Sequence, residues 1–184
     1  LPMEKRNPKR TALYGSVRAV LMGKDWISSP FGVINAVNFY QKESFELLYN
    51  HLQMLGEADY DSCNICYRLA NVLPESGGVT RGICELDEDG YLKSVTDRLG
   101  VERVGGLPMY PNEVHKWELL DENSLVSMNM WGFKPDILPK MQMAFDSFLD
   151  EQGLDMKAHF SLPVFMNGEI RHGAKVKMVE TPAR

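Results

Sequence analysis

Long apolar runs are missing from this chain of 184 residues. None approaches the roughly 20 residues that a bilayer-crossing helix needs, and no charged-then-apolar leader precedes a small-residue cleavage site. Together they lead us to expect a soluble, cytoplasmic protein without membrane partners. Cysteine is scarce: Cys63, Cys66 and Cys84 are the three present, an odd number that excludes a fully paired disulfide framework. "CNIC" holds the one pair at short spacing, but it sits in a strand-like run, where residues three apart point to opposite faces and cannot easily share a metal. Buried thiols are the expectation. Positive charge is not in excess, since the formal net charge is −5, which argues against a nucleic-acid partner. The opening run "MEKRNPKR" concentrates Lys5, Arg6, Lys9 and Arg10 and reads as a solvated tail. The chain has no G-x-G-x-x-G after a strand, because Gly77, Gly78 and Gly82 lie between strands, and no P-loop or H-E-x-x-H. His51, His115, His159 and His172 are scattered and read as surface or hydrogen-bonded residues. Internal repeats and low-complexity tracts are also absent. The start at Leu1 without methionine and the stop just past a strand-like run read as a piece of something longer.

What is present is enough apolar content, 44%, for one domain with a sizeable core over residues 1–184. A helix is expected over 16–23, "SVRAVLMG", with Gly15 and Ser16 forming a tight turn and cap. The strand "FGVIN" follows, and then the helix "KESFELLYNHLQML" (42–55). In that helix Phe45, Leu48, Tyr49, Leu52 and Leu55 recur at three- and four-residue steps and predict one buried stripe. "CNICYRL", "TRGICEL" and "YLKSV" read as strands, the last two joined by the turn "DEDG" ending in Gly90. The stretch "VGGLPMYPNE" reads as a loop, "SLVSMNMWGF" as a buried strand and "KPDILPKMQMAFDSFLD" as a helix opened by Pro135. "AKVKMV" is a last strand. Alternating helices and strands predict an α/β sheet with helices on both sides.

The ordered segments "GSVRAVLMGKDWI", "PFGVINAVNFY", "GGVTRGICELDEDGYLKSVTDR" and "VSMNMWGFKPDI" together resemble the sugar-phosphate nucleotidyltransferase (NTP transferase) family, from about Gly15 to Thr181, as a truncated or divergent member. The resemblance implies a Rossmann-like three-layer α/β/α fold with a mainly parallel sheet, here carrying an inserted β-hairpin around residues 80–97. It also implies an activity: joining a nucleoside triphosphate to a sugar 1-phosphate, giving a nucleotide sugar and pyrophosphate. Magnesium is the implied cofactor, because two polyanions must be neutralised and aligned before one attacks the other.

Residue by residue, Gly15-Ser16-Val17-Arg18 resembles the family's G-T-x-H turn against the nucleotide base, with Arg18 in place of the histidine. Gly78 matches a glycine that admits the sugar, Asp97-Arg98 the acidic-basic pair whose carboxylate accepts sugar hydroxyls, and Asn129 an asparagine facing the sugar. Gly15, Ser16, Val37, Asn38, Gly78, Asp97 and Asn129 are expected to line one cleft at the carboxyl ends of parallel strands. One position departs from the pattern. Where the family has N-A-D-D-F-Y and its first aspartate holds the metal, "NAVNFY" places Val37 and Asn38. Valine has no lone pair for a hard cation, and an amide oxygen is a neutral substitute for a carboxylate; Glu43 in the next helix is the nearest alternative. The family's G-x-G-x-R loop, and with it the first βαβ unit, is absent from these residues. The chain is therefore expected to lack transfer activity by itself. Two alternatives follow: it derives from a working transferase, or it is a noncatalytic relative that binds sugar nucleotides. The missing unit also predicts an exposed sheet face or edge and a homo-oligomer.

Overall fold

A computed structural model describes residue 5 and residues 7–183; Arg6 of the basic run lies outside them. In chain order the elements are α1 (Ser16–Leu21), a 3-10 turn (Lys24–Trp26), β1 (Phe31–Val33), α2 (Lys42–Met54), β2 (Ser62–Arg68) and α3 (Leu69–Val72). Then come β3 (Val79–Leu86), β4 (Leu92–Val104), β5 (Leu107–Pro111), β6 (Trp117–Leu119), β7 (Leu125–Phe133), α4 (Ile137–Gln152), α5 (Leu162–Arg171) and β8 (Val176–Glu180). The strands form one eight-stranded sheet in the order β6-β5-β4-β3-β7-β2-β8, with β1 paired to β7. Tyr91, just ahead of β4, bridges Lys177 of β8, so the sheet curls until its strands nearly close on themselves.

The sheet is mixed, not mainly parallel. β2 and β8 pair in parallel, whereas β1–β7, β2–β7, β3–β4, β3–β7, β4–β5 and β5–β6 are all antiparallel. The reason lies in the connections. Parallel neighbours need a crossover of a dozen or more residues, and the segments between β3, β4 and β5 are turns. "DEDG" turns as expected, with Asp87 Oδ1 accepting from the Asp89 and Tyr91 amides at 3.0 and 2.8 Å. The stretch read as a loop, "VGGLPMYPNE", is instead a second hairpin. Gly105 and Gly106 both take left-handed φ, 61° and 85°, as a two-residue hairpin turn demands, and β5 follows at once.

Helices cover both faces, over two cores. On one side α4 presents Ile137, Leu138, Met141, Phe145, Phe148 and Leu149, all buried, at helical steps against Val17, Trp131, Phe133 and Met166. On the other, Leu48 of α2 and Leu55 just after it meet Ile65, Val126 and Met130. Each such side chain contributes roughly 1.5–3 kcal/mol of transfer free energy. The stripe predicted on α2 is narrower than expected, since Phe45 and Tyr49 are exposed. The two cysteines of β2 behave as the strand reading requires: Cys63 joins one core and Cys66 the other. Burial raises both thiols to about 12.

Two further local readings change. Ser16 does not cap α1; its Oγ accepts from the Leu162 amide at 2.7 Å and ties α1 to α5. The basic opening run is not a solvated tail where it is described. Arg10 donates to the carbonyls of Ala12, Leu13, Asp155, Met156 and Ala158 at 2.7–3.0 Å and lies 4.1 Å from the Tyr14 ring centroid; Lys5 pairs with Asp150.

Candidate ligand cleft

The cleft begins at an interruption in β7. On one edge this strand pairs with β3 through Val126 and Ser127 and with β1 through Trp131–Phe133, so residues 128–130 face a gap between two strands. Asn129 sits in the gap with φ 59°, a left-handed conformation that asparagine tolerates better than most residues. Across the other edge the register with β2 slips between Asn64 and Cys66, the mark of a bulge. Asn64, fully buried, spans the slip. Its Nδ2 donates to Ser127 Oγ at 3.0 Å and to the Met130 carbonyl at 3.3 Å, and Ser127 Oγ also accepts from the Asn129 amide at 3.1 Å. The Asn129 side chain is oriented in turn: Oδ1 accepts from Trp131 Nε1 at 3.3 Å, which turns Nδ2 into the group left for a ligand.

The second wall is the segment leaving β1. Asn38 Nδ2 donates to the Met128 carbonyl at 2.9 Å, the Tyr40 hydroxyl to the same carbonyl at 2.6 Å, and the Asn35 amide to Tyr40 Oη at 3.1 Å. Val37 between these anchors is 91% exposed. The third wall is β3 with β4. Gly82 pairs with Asp97 on one side and Ser127 on the other, and a Cβ there would meet Val95 Cγ2 at 3.0 Å and Asp97 Oδ1 at 3.3 Å. The missing side chain is what lets the carboxylate lie across the strand. Asp97 is open to water within the cleft, yet the walls crowd it, and this partial loss of hydration raises its carboxyl above the ordinary range against the opposing pull of His159.

Val37, Asn38, Asp97 and Asn129 thus surround one cleft of about 320 Å³, together with Arg81 and Ser127. It opens at the split between β1 and β3, not at the ends of parallel strands. Gly78 is just outside; a Cβ on it would meet Gly100 Cα at 3.1 Å, so it serves the close approach of β3 and β4. Arg98 turns toward a neighbouring hollow of about 790 Å³ that shares Asp97, and lies 4.8 Å from the Tyr110 ring centroid. Gly15, Ser16 and Arg18 are not brought into the cleft. Gly15, at φ 114°, would place a Cβ 2.3 Å from the Phe160 carbonyl oxygen, while Arg18 borders a separate hollow beside Tyr14. Arg81, Ser127 and Asn64 were invisible to sequence reading because their roles follow from strand register.

The residues at the metal position do not fit a protein-held Mg²⁺. Val37 offers no donor, Asn38 offers only a neutral amide oxygen in place of a carboxylate, and Asp97 is the one carboxylate lining the cleft. Among the described residues no group of three His, Cys, Asp or Glu side chains is arranged to hold a metal. Glu43 is exposed in the first turn of α2 and does not line the cleft.

No protein-family model matches the chain, and no curated protein matches it. Solved structures do. The inositol-1-phosphate CTP transferase from T. maritima superposes with a TM-score of 0.53 at 8% identity, covering 91% of this chain and 52% of that one. HddC from Yersinia pseudotuberculosis superposes with a TM-score of 0.51 at 13% identity, covering 95% of this chain and 57% of that one. The fold is nucleotidyltransferase-like. At these identities the likeness concerns architecture alone, and the chain spans a little over half the length of either structure. Within the nucleotidyltransferase-like architecture, no described helix is long and apolar enough to cross a membrane.

Proposed function

We propose that the chain is the sugar-recognising portion of a sugar-phosphate nucleotidyltransferase, a protein that joins a nucleoside triphosphate to a sugar 1-phosphate with release of pyrophosphate. On its own the chain binds sugar phosphate or nucleotide sugar without catalysing transfer. The observation that carries this reading is the convergence of Asn38, Asp97 and Asn129 on one split in the sheet, within a fold shared with a CTP transferase acting on inositol 1-phosphate. Asp97 accepts sugar hydroxyls, and Asn129 Nδ2 donates to one. Gly78 keeps the wall of β3 and β4 thin, and Arg98 adds positive charge on the side of the larger hollow. Gly15, Ser16 and Arg18 are assigned to the nucleotide end.

Val37 favours the second reading, a noncatalytic sugar-nucleotide-binding or regulatory relative. A hydrocarbon side chain stands where a carboxylate would hold Mg²⁺. Charge stabilisation by a metal in such reactions amounts to several kcal/mol, on the order of a thousandfold or more in rate. The test is pyrophosphate release with a panel of nucleoside triphosphates and sugar 1-phosphates in Mg²⁺, run beside calorimetric binding of the same compounds. Binding without release is expected, with affinity reduced about tenfold in Asp97→Ala or Asn129→Ala, the cost of one good hydrogen bond to a charged or polar group. Val37→Asp alone restores no full activity. Robust Mg²⁺-dependent release by the unmodified chain would overturn the noncatalytic reading, and failure to bind any compound would overturn both.

A further inference from the structure

Asn64 and Ser127 are both buried polar residues, and they bond to one another. Around Asn64 on β2, Cys63, Ile65 and Cys66 build the two cores, so an amide there is an unfavourable choice. Its Nδ2 is committed to Ser127 Oγ and the Met130 carbonyl, at 3.0 and 3.3 Å, while Oδ1 is buried with no hydrogen-bond partner among the described residues. Turning the amide over brings no relief, because its oxygen would then face the Met130 carbonyl oxygen. A buried acceptor left unpaired destabilises a fold. A second unfavourable feature lies beside it, the Asn129 backbone at φ 59°, a conformation that residues other than glycine seldom adopt. Pairing the Met130 carbonyl at the slip between β2 and β7 explains only the longer of the two Nδ2 bonds. The shorter goes to an oxygen that in turn accepts from the Asn129 amide at 3.1 Å.

We infer that Asn64 is a positioning residue for the cleft: it fixes the Ser127 hydroxyl, the hydroxyl holds the Asn129 backbone in its left-handed turn, and Asn129 thereby presents Nδ2 to a ligand. This rests on the reading of the cleft given above, in which Asn129 Nδ2 donates to a sugar hydroxyl. Asn64 itself does not line the cleft. Its cross-strand partner is Trp131, whose indole N–H donates to Asn129 Oδ1 at 3.3 Å. Asn129 is thus gripped twice from one strand pair, at its backbone through Ser127 and at its side chain through the indole. Without Asn64 the Ser127 side chain is free to take another rotamer, and Asn129 can return to an ordinary negative φ, which turns Nδ2 away. With Asn64 in place the donor is held ready before the ligand arrives, so little ordering remains to be done on binding.

The test is a double-mutant cycle on glucose 1-phosphate binding, measured by calorimetry on the unmodified chain, Asn64→Leu, Asn129→Ala and the two together. Leucine is close to asparagine in shape and removes donor and acceptor alike. Asn64→Leu should weaken binding roughly tenfold, the scale of losing one good hydrogen bond to the ligand, and should cost nothing further once Asn129 is alanine. A merely structural role would weaken binding equally in both backgrounds. The Trp131 indole N–H resonance reads the same hold without ligand. It should move in Asn64→Leu and in the same direction in Ser127→Ala, because both release Asn129 Oδ1 from the indole. Equal weakening in both backgrounds, a folded Asn64→Leu chain that binds like the unmodified one, or an indole resonance unmoved in both variants overturns the inference and leaves the cleft reading in place. An unmodified chain that binds no glucose 1-phosphate, or an Asn129→Ala chain that binds it undiminished, overturns both. If Asn64→Leu does not fold, Asn64→Ser, too short to reach both partners, and Ser127→Ala take its place in the cycle; each should give a loss that Asn129→Ala abolishes, and additive losses overturn the inference.

Discussion

Among single residues, Val37 and His51 show how much a side chain's type reveals before its surroundings are known. Val37 could be questioned from the string alone, because a hydrocarbon cannot ligate a metal wherever the fold places it. His51 could not. Its Nδ1 lies 2.8 Å from the Tyr60 hydroxyl, and burial, assisted by the charge of Lys177, lowers its pKa from the ordinary 6.5. Between the folded and the unfolded value the unfolded chain binds more protons, so stability rises with pH there. The contribution of His51 is complete above about 6.5 and is lost as pH falls through that value toward the folded one. The urea midpoint should decline on this acid side, and His51→Gln should flatten the decline. The slope will be small, because the ring is partly exposed and water screens Lys177. An identical pH profile in the variant would show that other groups set it.

At the scale of elements, α5 was missed although Ser161, which accepts from the Val164 amide at 3.4 Å, and Pro163 in the first turn are both helix-start signals. Its contribution is an unusual edge. β5 pairs with β4 only along Glu102–Val104, and α5 covers the earlier part of β4. There Asn167 Oδ1 accepts from the Val95 amide at 2.9 Å and Nδ2 donates to the Val95 carbonyl at 2.8 Å, so one side chain does what a neighbouring strand would do. Asn167→Ala should cost about 1–3 kcal/mol, the scale of leaving part-buried backbone groups unpaired. It should also speed hydrogen exchange at the Val95 amide. Asn167→Asp should fail similarly because a carboxylate cannot donate to the carbonyl. Unchanged Val95 exchange in the alanine variant would remove this role. Since Val95 lies two residues before Asp97, the same contact steadies one wall of the cleft.

For the molecule as a whole, the curled sheet hides part of its own periphery, Tyr91 meeting Lys177 across the closure. β1 is different. It has β7 as its strand partner and no second one among the described residues, and Ile34, Val37 and Phe39 beyond it are exposed. Unpaired strand edges flanked by apolar side chains favour association with another chain. Sedimentation equilibrium should therefore show a mass that rises with protein concentration, and Phe39→Lys should diminish the rise. A single monomeric species throughout the high-micromolar range would count against it.

The sequence by itself determined the elements whose information is local. The helices α2 and α4 follow from local sequence, though Phe45 and Tyr49 of the stripe expected on α2 are exposed; the split of Cys63 and Cys66 between two cores follows from the two-residue period of a strand, and the turn after β3 from "DEDG". Even a candidate cleft residue such as Asp97 was legible, through resemblance of a short motif. Tertiary structure alone decided strand direction, because an apolar strand reads the same whether its neighbour runs with it or against it. It alone decided that Gly15 meets the Phe160 backbone, that Asn64 spans the slip beside Asn129, and that Arg81 faces Arg98. Each of these depends on a partner far away in the chain, and which distant segments become partners is set by packing of the whole domain, which no local pattern encodes.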